Sequence, residues 1–265
     1  MTIMKDRIES LSILGVGVSV LDSYEHALEL VRNRIATRSR TFCVAINPEK
    51  IQKAAKDVRL QRVLASTDIQ LSDGVGVVLA AKLLYGKTLA RCTGVDLFLR
   101  LLRAAPAEGW KVFLLGASPE SNESASEALQ RSIPGLTIAG RHHGYFTDSK
   151  SVVDAINASG ADLLFVALGS PRQEFWISDN LDRLNTPFVM GVGGTLDVVS
   201  GSAMRAPALV RKLGLEWLHR LISQPTRARR QTALPAFAFS VIKCALFESR
   251  PSLPVSEAPA RERVM

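Results

Sequence analysis

The chain has 265 residues, 47% of them apolar and 22% charged, and a formal net charge of +8. That length suits one large domain, or one domain with an appendage, and the composition is that of a globular protein. No run of about twenty apolar residues is present to span a bilayer, and an amino end with Asp6 and Glu9 ahead of a glycine-containing apolar run does not fit a secretory signal. Cys43, Cys92 and Cys244 are widely spaced, without a Cys-x-x-Cys pair. They are expected to be buried thiols of a reducing compartment, not disulfides or zinc ligands.

In chain order, Leu11 to Leu21 reads as a first strand broken by Gly15 and Gly17. Asp22 or Ser23 then caps a helix in which Ala27, Leu28, Val31 and Ile35 recur at helical spacing. Thr41 to Ile46 is a run of strand formers ending at Asn47-Pro48, and proline at a first helical position starts the next helix. Leu60 to Leu71 leads to Ser72-Asp73-Gly74-Val75-Gly76, where an apolar run meets a carboxylate and a helix from Val75 to Leu84 begins. Arg91-Cys92-Thr93-Gly94-Val95-Asp96 opens a further helix to about Ala105.

The second half repeats the alternation more plainly. Trp110 to Leu115, Leu136 to Ala139, Asp162 to Leu168 and Pro187 to Val192 read as strands. Glu120 to Arg131, Ser149 to Ala158 and a segment through Trp176 to Leu184 read as helices. The turns Gly116-Ala117-Ser118-Pro119, Gly169-Ser170-Pro171 and Gly193-Gly194-Thr195 close three of the strands. Such alternation implies an α/β fold, a mostly parallel sheet with helices on both faces. Ligands of these sheets bind at the carboxyl ends of the strands. Asp73 stands at such a turn, where Gly74 lets the backbone approach a ligand and the helix start favours negative charge. An ordinary helix cap is the competing reading of Asp73.

After Gly201 the character changes. Between Met204 and Arg230 seven cations (Arg205, Arg211, Lys212, Arg220, Arg227, Arg229 and Arg230) face the single acid Glu216. Nucleic acid, an anionic membrane surface or a pyrophosphate would each answer that charge. Pro207 to Ile222 is expected to be helical, with Leu209, Leu213, Trp217 and Leu221 forming an apolar stripe that could serve a subunit contact in a homo-oligomer. The apolar stretch Leu234 to Phe247 is too short to span a bilayer and reads either as an interfacial segment or as a helix docked on the core. The expected division is an α/β catalytic domain over 1–203, a basic and apolar membrane-binding appendage over 204–248, and a disordered tail over 249–265.

The glycine pairs Gly15/Gly17 and Gly74/Gly76 each lack the third glycine of a dinucleotide fingerprint. There is no P-loop, no His-Glu-x-x-His, no Gly-x-Ser-x-Gly and no Asp-x-Asp, and the neighbours His142 and His143 cannot share one face of a regular element. No cofactor and no metal is expected. A nucleotide-sugar enzyme on this chain would meet its leaving diphosphate with Arg, helix ends and the amides of the glycine-rich turns.

Asn47-Pro48-Glu49, Ser72-Asp73-Gly74-Val75-Gly76, Arg91 to Asp96, Gly169-Ser170-Pro171-Arg172-Gln173-Glu174 and Gly191-Val192-Gly193-Gly194-Thr195-Leu196-Asp197 occur together in this order, followed by Arg205-Ala206-Pro207 and Leu213 to Leu218. In these motifs the chain resembles the WecG/TagA/CpsF family of bacterial glycosyltransferases, from about Leu14 to Arg230. The resemblance implies a Rossmann-like α/β fold with a helical, basic carboxy-terminal appendage that meets the membrane. It implies inverting, metal-independent transfer from a UDP-sugar to a polyprenyl-diphosphate-linked sugar at the cytoplasmic face of the inner membrane, in surface polysaccharide synthesis. Carried over by motif, Asp73 is the catalytic base, and Asn47, Arg91, Gln173 and Asp197 line the donor site beside Gly74 and Gly193. Arg220, Arg227 and Arg230 match the arginines that hold the lipid diphosphate. Ala45, His219 and Gln224 depart from the family's common Thr, Tyr and Glu.

Two other classes compete. A nucleic-acid-binding module would use Arg205 to Arg230 as a phosphate-tracking helix, but only Trp217 supplies a stacking ring there and the glycine-rich turns go unexplained. A nicotinamide oxidoreductase would explain the α/β pattern but not the basic, aromatic carboxyl end.

Overall fold

This computed structural model describes residues 8–204 and 233–247, with Pro207 and Val210. The helix expected over Pro207 to Ile222, the arginines Arg220, Arg227 and Arg230, and the tail from 249 lie outside the described residues.

The chain opens with an antiparallel hairpin, β1 (Ser10–Ile13) and β2 (Val16–Ser19), in which Ile13 pairs with Val16. This corrects the single interrupted strand expected over Leu11 to Leu21. The two linking residues, Leu14 and Gly15, both have positive φ (49° and 81°), the conformation that lets a two-residue loop match strand twist. The hairpin stays out of the main sheet and packs beside its edge, where the Ser19 hydroxyl accepts from the Gln70 N–H at 2.9 Å.

Helix α1 (Tyr24–Ala36) starts at Ser23, whose hydroxyl accepts from the His26 N–H. Strand β3 (Thr41–Ile46) runs through α2 (Pro48–Ala54) and α3 (Val58–Ala65) to β4 (Ile69–Ser72). Next come α4 (Val75–Tyr85), α5 (Gly94–Glu108), β5 (Lys111–Gly116), α6 (Pro119–Ser132) and β6 (Thr137–His142). The chain continues through α7 (Ser149–Ser159), β7 (Leu163–Ala167), α8 (Arg172–Asn180), β8 (Phe188–Gly191) and α9 (Thr195–Val199). The last described element is α10 (Ala233–Phe247). The six strands from β3 to β8 form one parallel sheet in the order β4-β3-β8-β7-β5-β6. The α/β sheet of Rossmann-like type with a helical carboxy-terminal extension is therefore present.

Alternation along the strands feeds two cores. Phe42, Val44, Ile46, Leu164, Val166 and Val189 face one side, with α2, α3, α4, α7 and α8. Cys43, Ile69, Leu71, Val112, Leu114, Phe165 and Met190 face the other, with α1, α5 and α6. A strand buried on both faces explains why these runs read as continuously apolar. The helix α10 joins the first core through Phe237, Val241 and Cys244, spaced four and three residues apart, so the Leu234–Phe247 stretch docks on the body along one narrow stripe. No helix among the described residues is long and apolar enough to cross a membrane. All three cysteines are buried, and burial pushes the Cys92 thiol up to about 11 and Cys43 higher still, so both stay protonated at neutral pH.

The carboxyl edge of the sheet depends on one glycine in particular. Gly116 has φ +119°, and a Cβ there would stand 2.3 Å from the Ala167 carbonyl oxygen. Gly116→Ala is expected to lower unfolding stability by about 2–4 kcal/mol through backbone strain and overpacking, read as a fall in the denaturant midpoint at unchanged slope.

Candidate functional site

The strands β4, β3, β8 and β7 all end at one cleft, lined among others by Asn47, Lys50, Asp73, Ser170, Gln173, Gly193 and Asp197. That is where an open parallel sheet places its ligands. The wall begins at Asn47, between β3 and α2. Its side-chain oxygen caps α2 by accepting from the Lys50 N–H at 2.8 Å, which leaves the amide's two N–H donors for a ligand. Proline at the first position of α2 supplies no orphan donor and fixes the turn.

Asp73 follows β4 directly. Its backbone N–H donates to Ile46 O at 2.8 Å, which ties this turn to the end of β3 beside Asn47. The residue at the cap position of α4 is Gly74, at φ 103° and ψ 151°, with no side-chain capping bond. Asp73 therefore stands one residue before the cap position of α4. It is half-buried and borders the cleft. Gly74 itself is not among the lining residues; its role is the positive φ that lets the chain turn from strand to helix.

Gln173 is built in from both ends of its amide. Its carbonyl oxygen accepts from the Gly193 N–H at 2.9 Å, and its Nε2 donates to Glu174 Oε1 at 3.0 Å. Gly191 permits this path, since a Cβ there would sit 2.6 Å from Gln173 Nε2. Gly193 lines the cleft, but its N–H is committed to Gln173, so it contributes an open backbone edge and not a donor. Asp197 also lines the cleft. It lies in the first turn of α9, beyond the Val192-Gly193-Gly194 turn that follows β8.

Arg91 is half-buried and does not line the cleft. The segment around it is laced to the end of β4: Cys92 N–H donates to Ser72 O at 3.1 Å, and the Ser72 hydroxyl donates to Ala90 O. This holds the Arg91 segment beside the end of β4, next to the Asp73 turn. Asn47, Asp73, Gln173, Gly193 and Asp197 are brought together, and Arg91 and Gly74 are not.

A pair that sequence reasoning missed lies under the cleft. Lys50 Nζ donates to Glu174 Oε1 at 2.6 Å, with the Lys50 side chain 6% and the Glu174 side chain 0% exposed. Burial alone would push the Glu174 carboxyl up, but the Lys50 ammonium, its hydrogen bond and that of Gln173 outweigh it and hold the carboxyl below the ordinary range. The Ser170 hydroxyl stands near enough to favour the charged form without forming a hydrogen bond, and Ser170 Oγ and Glu174 Oε2 are buried without partners. The signal for half of this pair was present, since Glu174 adjoins Gln173 in the motif, but its partner is 124 residues away. Among the described residues no three of His, Cys, Asp and Glu are grouped to hold a metal ion.

Comparison with known proteins agrees with this arrangement. The model of the glycosyl transferase WecG/TagA/CpsF family matches residues 11–251. The chain is similar to an N-acetylglucosaminyldiphosphoundecaprenol N-acetyl-β-D-mannosaminyltransferase of Bacillus spizizenii, 39% identical over 202 residues, covering 76% of this chain and 79% of the relative. It is also similar to the proteins of the same description from two Staphylococcus aureus strains, MRSA252 and MW2, each 33% identical over 235 residues, covering 87% of this chain and 91% of the relative. A family match across nearly all of the described body, with the family's motifs gathered at one cleft, makes this chain a member of the WecG/TagA/CpsF family of glycosyltransferases.

Proposed function

We propose that this chain transfers a hexose or N-acetylhexosamine-type sugar from a UDP-sugar to a polyprenyl-diphosphate-linked sugar, with inversion and without a metal, in bacterial surface polysaccharide synthesis. The observation that carries the reading is the convergence of Asp73, Asn47, Gln173 and Asp197 on one cleft at the strand ends. The relatives are transferases of an N-acetyl-β-D-mannosaminyl group to an acceptor sugar on diphosphoundecaprenol. From an α-configured nucleotide sugar, a β product requires attack from the face opposite the leaving diphosphate.

In this reading Asp73 takes the proton of the acceptor hydroxyl as its oxygen bonds to the anomeric carbon, and the bond to UDP breaks with its electron pair leaving on the diphosphate. A positioned base contributes typically about a hundred- to ten-thousand-fold. The larger requirement is stabilising the departing charge. Lys50 is the cation that borders the cleft: one of its three N–H donors is held by Glu174 and the others remain for a ligand. Since the pair with Glu174 is neutral overall, Lys50 contributes directed donors more than net charge. Asn47 and Gln173 serve the sugar hydroxyls, and Asp197 the ribose or uracil. Arg91, beside the Asp73 turn, serves the diphosphate.

The chain is read as an α/β catalytic domain over 1–203 with an appendage over 204–248 whose Arg220, Arg227 and Arg230 hold the lipid diphosphate, peripheral to the cytoplasmic membrane face. The test is UDP release with a panel of UDP-sugars, beginning with N-acetylmannosamine, and a short polyprenyl-diphosphate sugar acceptor. Turnover with one donor, persisting in excess chelator, is expected. No release with any donor would overturn the transfer, and loss restored by magnesium or manganese would overturn its metal independence.

A further inference from the structure

Ten large apolar side chains are well exposed among the described residues, and seven of them lie on α4 and α10, which pack against each other. On α4 these are Val75, Leu79 (62% exposed) and Leu83, at four-residue steps along one outward stripe. On α10 they include Phe239 (71%), Leu246 and Phe247 (79%). The cause is local. Each helix is apolar nearly all round but has only one side to bury: α4 spends Val77, Ala80, Ala81 and Leu84 on the core, and α10 spends Phe237, Val241 and Cys244. Their joint is close, with Phe237 against Gly76, while on α2 Gln52 Nε2 donates to the Ser240 hydroxyl of α10 at 3.5 Å. A concentration of exposed apolar groups on one face marks an interaction surface.

The charges say what that surface meets. Neither helix contains an acid, and their only charged residues, Lys82 and Lys243, are both exposed. The cations Arg227, Arg229 and Arg230 end three residues before α10 begins. Exposed apolar side chains on helices whose only charges are cationic complement an anionic bilayer. The position fits a lipid-borne acceptor as well, since α4 begins two residues after Asp73.

We propose that α4 and α10 together form a docking face that seats on an anionic membrane and presents the Asp73 cleft to acceptors carried in it. The inference rests on the glycosyltransferase reading for its acceptor and goes beyond it by adding a helix of the α/β body, α4, to the membrane contact.

The test uses the full chain and vesicles of phosphatidylethanolamine with and without phosphatidylglycerol. Leu79→Glu/Leu83→Glu is expected to reduce partitioning to anionic vesicles by about tenfold or more, while transfer to a short-tailed, water-soluble acceptor stays within about twofold. Unchanged partitioning would overturn the docking face. Because the double variant could also disturb packing, Leu83→Cys carrying an environment-sensitive fluorophore gives a second reading. Water-like emission without vesicles and a blue shift on adding anionic ones are expected. A blue shift that grows with protein concentration in the absence of vesicles would assign the face to a second copy of the chain. One already complete at the lowest concentration would assign it to another segment of the same chain, and either result overturns the proposal. If the unaltered chain binds vesicles yet transfers nothing to the short acceptor, the activity reading fails while the docking face stands.

Discussion

Asp73→Asn is expected to keep UDP binding and to lose sugar transfer by a hundredfold or more, in kcat with little change in KM for the donor. The substitution is nearly isosteric, and the turn is held through the backbone, by the Asp73 N–H on Ile46 O. The variant should therefore unfold near the parent's midpoint and still be protected by UDP against heating. Steady-state UDP release with and without acceptor separates the outcomes. Near-normal turnover would remove Asp73 as the base and leave it a binding residue.

Glu174→Gln is expected to be the most damaging single change to stability, about 3–5 kcal/mol, because it leaves the nearly buried Lys50 ammonium without its counter-charge. The double substitution Lys50→Met/Glu174→Leu removes both charges and should recover most of that loss, as buried pairs replaced by apolar groups of similar size commonly do. Stability recovered in the double variant while transfer is lost would separate the two roles of Lys50, since its donors at the cleft are gone there. Acid has a related effect. Glu174 is held below the ordinary carboxylate value in the folded chain, so its contribution is complete above about 4.3, the value for an unfolded glutamate, and is lost as pH falls through the lower folded value. Denaturation midpoints of parent and Glu174→Gln should converge across that interval. A gap that widens with acid would contradict the assignment.

What the sequence disclosed follows the range of the interactions involved. The Asp73 turn was legible because strand, carboxylate, glycine and helix are adjacent in the chain, and the parallel sheet because alternating elements leave few other arrangements. The opening hairpin was not. Its turn, Leu14-Gly15, lacks the Asn-Gly or Asp-Gly signal, and glycines inside an apolar run read as interruptions of one strand. The helix α9, which carries Asp197, was not legible either, since five residues are too few to show a period. Arg91 was assigned by motif, and a motif carries no side-chain direction; Ser72 holds its segment at the end of β4 through the backbone on both sides of it. Lys50 and Glu174 meet only through the fold, and nothing local marks either as half of a buried pair. The exposed stripe on α4 was equally hidden, since an all-round apolar helix reads as core until one side proves to have no neighbour.

The structure of the chain with UDP bound tests the central claim most directly. The account predicts the nucleotide in the cleft among Asn47, Gln173 and Asp197, with the Asp73 carboxylate facing the outer phosphate across room for one sugar ring. A nucleotide seated elsewhere, or an Asp73 side chain turned away from it with no path for an acceptor hydroxyl between them, would contradict it.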